Sequence, residues 1–293
     1  MKNFFVKSVA RLVAILPFNF VRWLGWQFGR LLYWTRSRHF RTTIKNLDYC
    51  HLPELADSQQ VIARESCRHT GAMVLESLWI WQRSNQDTLK LVVEVEGEAL
   101  LKQAISQNNG VILTGPHFGN WELITLWVAQ FYETSAIYRA AKLESIDQII
   151  RKGRSKTGAK LITGERKNAR KILTALKRNE VFVVLSDQEP EKGSGVYAPF
   201  FGRPAYTMTL PAKLIQKTGA ALLTFDFKRV KGGFKLTIGP ADFASIHQLD
   251  ELTFCRELNA TIEQIIKKDL AQFEWGYKRF KTPPDGDYDF YPE

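Results

Sequence analysis

Val111-Ile112-Leu113-Thr114-Gly115-Pro116-His117-Phe118-Gly119-Asn120-Trp121-Glu122 decides how this chain is read. Val111 to Gly115 is a short apolar run with the length and composition of a buried strand. Gly115 and Pro116 end it, Gly119 relaxes the backbone, and Asn120 to Val128 is compatible with a helix. His117 therefore falls in a strand-to-helix loop and Glu122 in the first turn of the helix. The bend matters, because on one continuous helix positions five apart point about 140° away from each other. Folded back at Gly119, one imidazole nitrogen of His117 is expected to meet the Glu122 carboxylate. The other is then free to take a proton from a substrate hydroxyl, as a general base does.

Outward from this stretch, strand and helix patterns alternate. Leu91 to Val95 reads as a strand, Glu98 to Ser106 as a helix, Trp121 to Phe131 as a helix and Ser135 to Tyr138 as a strand. Helix-like Ile146 to Lys156, a strand at Lys160 to Thr163, a basic helix at Asn168 to Arg178 and the apolar strand Val181 to Leu185 follow. A long loop is expected from Asp187 to Pro204, then a helix at Thr209 to Thr218, strands at Leu222 to Phe227 and Phe234 to Ile238, and a last helix at Thr253 to Leu270. Ahead of the alternation, residues 36–50 read as a basic connector and 54–84 as a helix; the tail from Pro283 to Asp287 reads as peripheral turns. The pattern predicts an α/β fold, a mixed, mostly parallel central sheet flanked by helices. Ligands of such folds collect where strands end. His117 follows one such end and Asp187 another.

The chain has 293 residues and a formal charge of +11, which implies an anionic partner: nucleic acid, an anionic membrane or a phosphorylated substrate. Three widely spaced cysteines fit no zinc pattern and suit a reducing compartment. Five histidines show no HExxH arrangement, so no metal site is expected. No cofactor is called for either. Gly193 to Ala198 fits a loose GxGxxA, but Ala198-Pro199-Phe200 cannot open a helix, which excludes dinucleotide binding there. With no nucleophile elbow, P-loop or kinase set, direct transfer of a group to a substrate hydroxyl fits better than a covalent enzyme intermediate.

From Phe4 to Trp34 the chain is rich in aromatic and aliphatic residues, interrupted by Lys7, Arg11, Arg22 and Arg30. Its longest charge-free stretch, Leu12 to Val21, is ten residues, against the ~20 needed to span a bilayer. Cations inside the apolar stretch argue against a signal peptide. Residues 1–35 are read as amphipathic membrane-anchoring helices lying in a membrane surface, with residues 36–293 as the catalytic domain. The plainer alternative is an ordinary core helix pair.

His117-Phe-Gly-Asn-Trp-Glu122, preceded by Thr114-Gly115-Pro116, resembles the HX4D/E motif of membrane acyltransferases in the form found in the late acyltransferases of lipid A biosynthesis. Further blocks stand in the family's order from near Arg41 to the carboxyl end. Tyr138-Arg139 and Gly153-Arg154-Ser155 match its two arginines; Asp187-Gln188-Glu189-Pro190, Pro199-Phe200-Phe201-Gly202 and Pro204-Ala205 match its third block. Thr218-Gly219-Ala220 is similar to the segment that follows, and Trp275 to Lys281 to the carboxyl-terminal signature. Many members carry histidine where Tyr277 stands, and no role is assigned there.

The resemblance implies a glycerolipid-acyltransferase-like fold and transfer of a fatty acyl group from acyl carrier protein to the hydroxyl of a 3-hydroxyacyl chain on a Kdo-bearing lipid A precursor. It places the enzyme at the cytoplasmic face of the bacterial inner membrane. His117 and Glu122 are the implied catalytic dyad; Asn120, Arg139, Arg154, Asp187 and Glu189 are the substrate-binding candidates, with Asp187 and Glu189 read either as anchors for the arginines or as the acidic caps of a turn. Oxyanion donors are sought among the backbone amides of residues 118–120 or at Arg139. Residues 151–180 hold eleven lysines and arginines against Glu165 and Glu180, a band suited to a polyanionic lipid, to acidic acyl carrier protein, or simply to solvent beside anionic lipid. Two rivals stand beside this reading: an acyltransferase using the same dyad on another glycerophospholipid or glycolipid, and a basic nucleic-acid-binding protein. Against the latter, the aromatic residues cluster at the N-terminus and not among the lysines of the band, and no recognition motif appears.

Overall fold

The computed structural model describes residues 2–50, 52, 58–165, 168–241, 243, 245–284, 286 and 290–291, with side chains from residue 7 onward. Its elements in chain order begin with α1 (Lys2–Ile15), α2 (Phe18–Trp34), α3 (Arg38–Cys50), α4 (Gln59–Gln82), α5 (Asn85–Leu89) and β1 (Val92–Glu96). The alternating part runs α6 (Glu98–Ser106), β2 (Val111–Gly115), α7 (Glu122–Val128), β3 (Thr134–Tyr138), α8 (Glu144–Ser155), β4 (Lys160–Thr163), α9 (Ala169–Lys177) and β5 (Val181–Leu185). Then come β6 (Gly195–Phe200), β7 (Arg203–Met208), α10 (Leu210–Thr218), β8 (Ala221–Val230), β9 (Gly233–Pro240) and α11 (Glu251–Lys267).

The central sheet has seven strands in the order β1-β9-β8-β2-β5-β3-β4. The stretch from β8 to β4 is parallel throughout; β9 turns back antiparallel to β8, and β1 pairs parallel to β9. Helices and apolar side chains cover both faces, with Ile112, Phe182 and Leu222 in one core cluster and Val111, Leu113, Val181 and Val183 in the other. That division follows from the period-2 alternation of side chains along each strand. β2 is buried at every residue, as its unbroken apolar sequence requires.

Two expectations are corrected. Residues 38–50 are a helix, not a connector: its inner face is built from Thr42, Thr43, Asn46, Leu47 and Cys50, and a buried face so polar carries little hydrophobic signal. Asn46 compensates by donating to the carbonyls of Trp275 at 2.6 Å and Tyr277 at 2.7 Å. The expected loop from Asp187 to Pro204 contains β6 and the start of β7, an antiparallel hairpin turning at Phe201-Gly202, both with positive φ. Pro199 and Pro204 pair in this separate two-stranded ribbon, where a missing amide donor is tolerated.

The N-terminal helices have two unlike sides. On the inner side α2 lies so close to α4 that a Cβ added at Gly29 would sit 2.3 Å from the Cys67 carbonyl oxygen. On the outer side Leu12, Ile15, Phe20, Trp23, Leu31 and Trp34 are exposed. No helix among the described residues is long and apolar enough to cross a membrane. Of the tail segment, residues 285 and 287 lie outside the described residues, while Pro283 accepts a hydrogen bond from the Tyr197 hydroxyl at 3.1 Å.

Candidate active site

β2 and β5 are adjacent, parallel and in register, Gly115 opposite Leu185. The residues that leave them are therefore neighbours too. Thr114 and Ser186 share a hydrogen bond of 2.7 Å, and His117 meets Asp187 through its ring Nδ1 at 2.7 Å and its backbone amide at 3.1 Å. The imidazole's partner is thus Asp187, not the Glu122 expected from spacing. A carboxylate accepts only, so Nδ1 carries the proton and Nε2 holds the lone pair. Trp121 packs edge-on to the imidazole with ring centroids 4.6 Å apart. The His117 side chain is 16% exposed, enough for a substrate to reach it, whereas that of Asp187 is 3% exposed.

Gly119 makes the loop possible. Its φ is +61°, and a Cβ there would stand 1.8 Å from the Phe227 carbonyl oxygen. The loop is pinned to its surroundings by its own amides: Phe118 N–H donates to Pro116 O, Gly119 N–H to Gln272 O and Asn120 N–H to Phe227 O. These three amides are consequently engaged, which corrects the expectation that they form an oxyanion hole.

Glu122 does open the helix after the loop, as the spacing predicts. It accepts from Arg154 Nε at 2.7 Å and Trp81 Nε1 at 2.9 Å, and Arg154 Nη2 closes the second half of a bidentate pair. Burial by itself would raise the pKa of Glu122, but Arg154 first and then Trp81 and His117 outweigh it and hold the carboxyl below its ordinary value. Glu122 is therefore ionised and its partner Arg154, 22% exposed, is oriented. Trp121, Glu122 and Arg154 border a cavity whose other walls include Ala136, Val183 and Leu185. Two of the three guanidinium nitrogens of Arg154 are spent on Glu122; Nη1 makes no hydrogen bond to a described residue.

The remaining sequence candidates divide. Asn120 is fully buried and its amide donates to Glu76 at 3.2 Å, in a network that also holds Arg22, Arg229 and His69. Arg139 lies exposed just past β3. Glu189 does not anchor an arginine of the pair expected: it accepts from Thr282 N–H at 3.1 Å and Thr282 Oγ1 at 2.9 Å, tying down the carboxyl-terminal segment. Its own amide donates to the Tyr277 hydroxyl at 3.1 Å. Within the basic band, Arg154 serves Glu122, Lys160 pairs with Glu133 and Glu180, and Lys156 donates to the carbonyls of Ile80 and Arg83 at the end of α4. Burial lowers the Lys156 pKa to about 8. Arg151, Lys152, Arg170, Lys171, Lys177 and Arg178 remain exposed. Among the described residues no group of His, Cys, Asp and Glu side chains is placed to hold a metal ion.

An imidazole held by an acid, beside an acid-held arginine at the strand ends of an α/β sheet, is an arrangement with the parts for proton transfer at a substrate hydroxyl. Residues 1–282 match the family described as bacterial lipid A biosynthesis acyltransferase, and the chain belongs to that family. It is 27% identical to a lipid A biosynthesis acyltransferase of Haemophilus influenzae, covering 95% of this chain and 89% of that one. It is 28% identical to a lipid A biosynthesis palmitoleoyltransferase of Escherichia coli, covering 94% and 90%. A phosphatidylinositol mannoside acyltransferase of Mycobacterium tuberculosis is 32% identical over 42% of this chain and 40% of its own. The family supports acyl transfer in lipid A biosynthesis onto a lipid A-type acceptor.

Proposed function

We propose that the chain transfers a fatty acyl group from an acyl carrier protein thioester to the hydroxyl of a 3-hydroxyacyl chain on a Kdo-bearing lipid A precursor, at the cytoplasmic face of the bacterial inner membrane. The observation that carries this reading is the 2.7 Å contact between His117 Nδ1 and Asp187, which leaves Nε2 as a base at an open strand end. Nε2 takes the proton of the acceptor hydroxyl as its oxygen attacks the thioester carbonyl. Asp187 stabilises the imidazolium that forms, and the tetrahedral intermediate collapses with transfer of that proton to the departing sulfur. Such general-base help is worth about 10²–10⁴ in rate, roughly 3–5 kcal/mol. Glu122 acts through Arg154, whose free Nη1 edge is the donor best suited to the oxyanion now that the loop amides are excluded.

The exposed Leu12, Ile15, Phe20, Trp23, Leu31 and Trp34 support a bilayer surface as the place of work. Lys7, Arg11, Arg30 and Arg36 lie beside them in the chain, where anionic headgroups would be met. The partial match to a phosphatidylinositol mannoside acyltransferase favours a second reading, acyl transfer to another glycolipid. Purified full-length protein supplied with defined acyl carrier protein thioesters and each acceptor separates the two. His117→Ala should lower transfer by about 10²–10⁴ while the thermal transition stays in place. Full turnover by a folded His117→Ala protein would overturn the mechanism, and acylation of mannosides or phospholipids alone would overturn the acceptor.

A further inference from the structure

A second cleft opens beside the carboxyl-terminal segment that contacts the His117 loop. It has a volume of about 370 Å³ and is lined by Arg38, His39 and Thr42 of α3 and by Gly276, Tyr277 and Lys278; pockets for small ligands run from roughly 300 to 1,000 Å³. Its wall from Gly276 to Lys278 continues the segment that is hydrogen-bonded to the His117 loop. Glu274 N–H donates to the His117 carbonyl at 3.0 Å, and the Tyr277 hydroxyl takes the amide of Glu189, two residues beyond Asp187. Its mouth lies four residues along the chain from Trp34, the 77% exposed end of the apolar stripe on α2.

The chemistry of the lining is that of an anion receptor. Arg38 is exposed and makes no ion pair with a described residue. Lys278 is held over the Tyr291 ring at 5.3 Å by a hydrogen bond to that residue's carbonyl at 3.1 Å, which fixes its position without neutralising its charge. The His39 ring packs on Gly276, where a Cβ would meet it at 1.9 Å. Its Nε2 is buried with no hydrogen-bond partner among the described residues, while Nδ1 stands 3.6 Å from Glu274, beyond hydrogen-bond length. A buried polar atom left unpaired is costly, and an acid oxygen in the cleft would satisfy it. Glu274, the acid nearest this ring, faces Thr70 as well, at 3.4 and 3.5 Å.

We propose that this cleft is a headgroup subsite that takes a sugar phosphate of the acceptor lipid while the lipid's hydroxyl lies at His117. The assignment rests on the lipid A-type acceptor of the reading above. Arg38 grips the anion in the fork geometry that guanidinium offers phosphate and carboxylate. Lys278 supplies a fixed charge and His39 a donor from the floor.

The test is binding by the full-length protein in neutral detergent micelles doped with either a diphosphorylated lipid A precursor or the same lipid enzymatically dephosphorylated. Wild type should prefer the phosphorylated lipid by about ten-fold or more, and Arg38→Gln/Lys278→Gln should erase that preference. Lys217→Gln/Arg256→Gln, which removes the same charge from exposed positions on α10 and α11, should keep it. Arg38→Gln alone, at an exposed position, should reduce the preference even if the double variant folds poorly. An unchanged preference in both cleft variants, or none in wild type, overturns the subsite. In transfer assays KM for the acceptor should rise in the cleft variant, with kcat and KM for the acyl carrier protein thioester within about two-fold of wild type. A rise confined to the donor's KM would give the cleft to the acidic donor instead. Absence of any transfer by wild type would sink the reading of the enzyme, yet the micelle measurement would still decide the cleft.

Discussion

The same loop is gripped from two sides by buried acid–guanidinium assemblies, and they could hardly differ more in what they leave over. On one side Glu76, 0% exposed, takes Arg22 Nε at 2.6 Å and Arg229 Nη2 at 2.7 Å, and Arg229 reaches the Gly119 carbonyl at 3.3 Å. This assembly ties α2 and α4 to β8 and to the motif loop, its one carboxylate shared between two guanidiniums and all three closed off from solvent. On the other side Glu122 takes Arg154, but the arginine is partly exposed at a cavity and the neighbouring imidazole keeps a free nitrogen. A buried ion pair is therefore no sign of catalysis; an oriented group with an unspent donor or lone pair is.

Removing each acid in turn should break the comparison if it is wrong. Glu76→Ala strands two cations in a sealed interior, and loss of one partner of a buried pair costs about 3–5 kcal/mol. Urea unfolding should show that loss, and the thermal transition should fall with it. Glu122→Ala should act the other way round. It frees one partly exposed arginine, so stability should fall less, while turnover per folded molecule should drop by about 10²-fold as Arg154 loses its orientation. Glu122→Ala destabilising the protein more than Glu76→Ala, with turnover retained, would reverse the two roles.

How much of this was visible beforehand depends on the range of the signal. The strands β2, β4 and β5 and the helix α6 are bounded where the sequence places them, because each is a local run of matching period. His117 and Glu122 stand out for the same reason. The partner of His117 does not, because Asp187 lies 70 residues away and only the pairing of β2 with β5 makes them neighbours. Glu76, Arg22 and Arg229 gave still less warning. Each sits on a different element, and a charged residue in an isolated helix or strand pattern reads as a solvated face. The helix α3 carries no clear sequence signal because its buried side is largely threonine and asparagine, and the β6–β7 hairpin none because its prolines read as loop.

The smallest effect tests whether the sealed assembly is closed as drawn. Arg229 Nη1 approaches His69 Nδ1 at 2.8 Å, and because a guanidinium only donates, that nitrogen must accept and the ring must be neutral. Burial, then the Arg229 charge, pushes the His69 pKa down from 6.5 to about 3, with Glu76 opposing. As pH falls below 6.5 the unfolded chain takes up a proton that the folded protein refuses. Stability should therefore decline with falling pH by up to about 1.4 kcal/mol per unit from this residue alone. Glu76, held near 2 although burial alone would raise it, adds its own loss only below its ordinary 4.5. Between 6.5 and 4.5 His69 therefore contributes while Glu76 does not, and a variant at His69 separates its share from that of the other titrating groups. His69→Gln keeps an acceptor for Arg229 but binds no proton, so urea unfolding at pH 6.5, 5.5 and 4.5 should show a flatter dependence than wild type, the other histidines cancelling in the difference. Parallel slopes would mean that His69 is protonated in the folded state, with Arg229 turned away from it, and that the assembly called closed is open at that end.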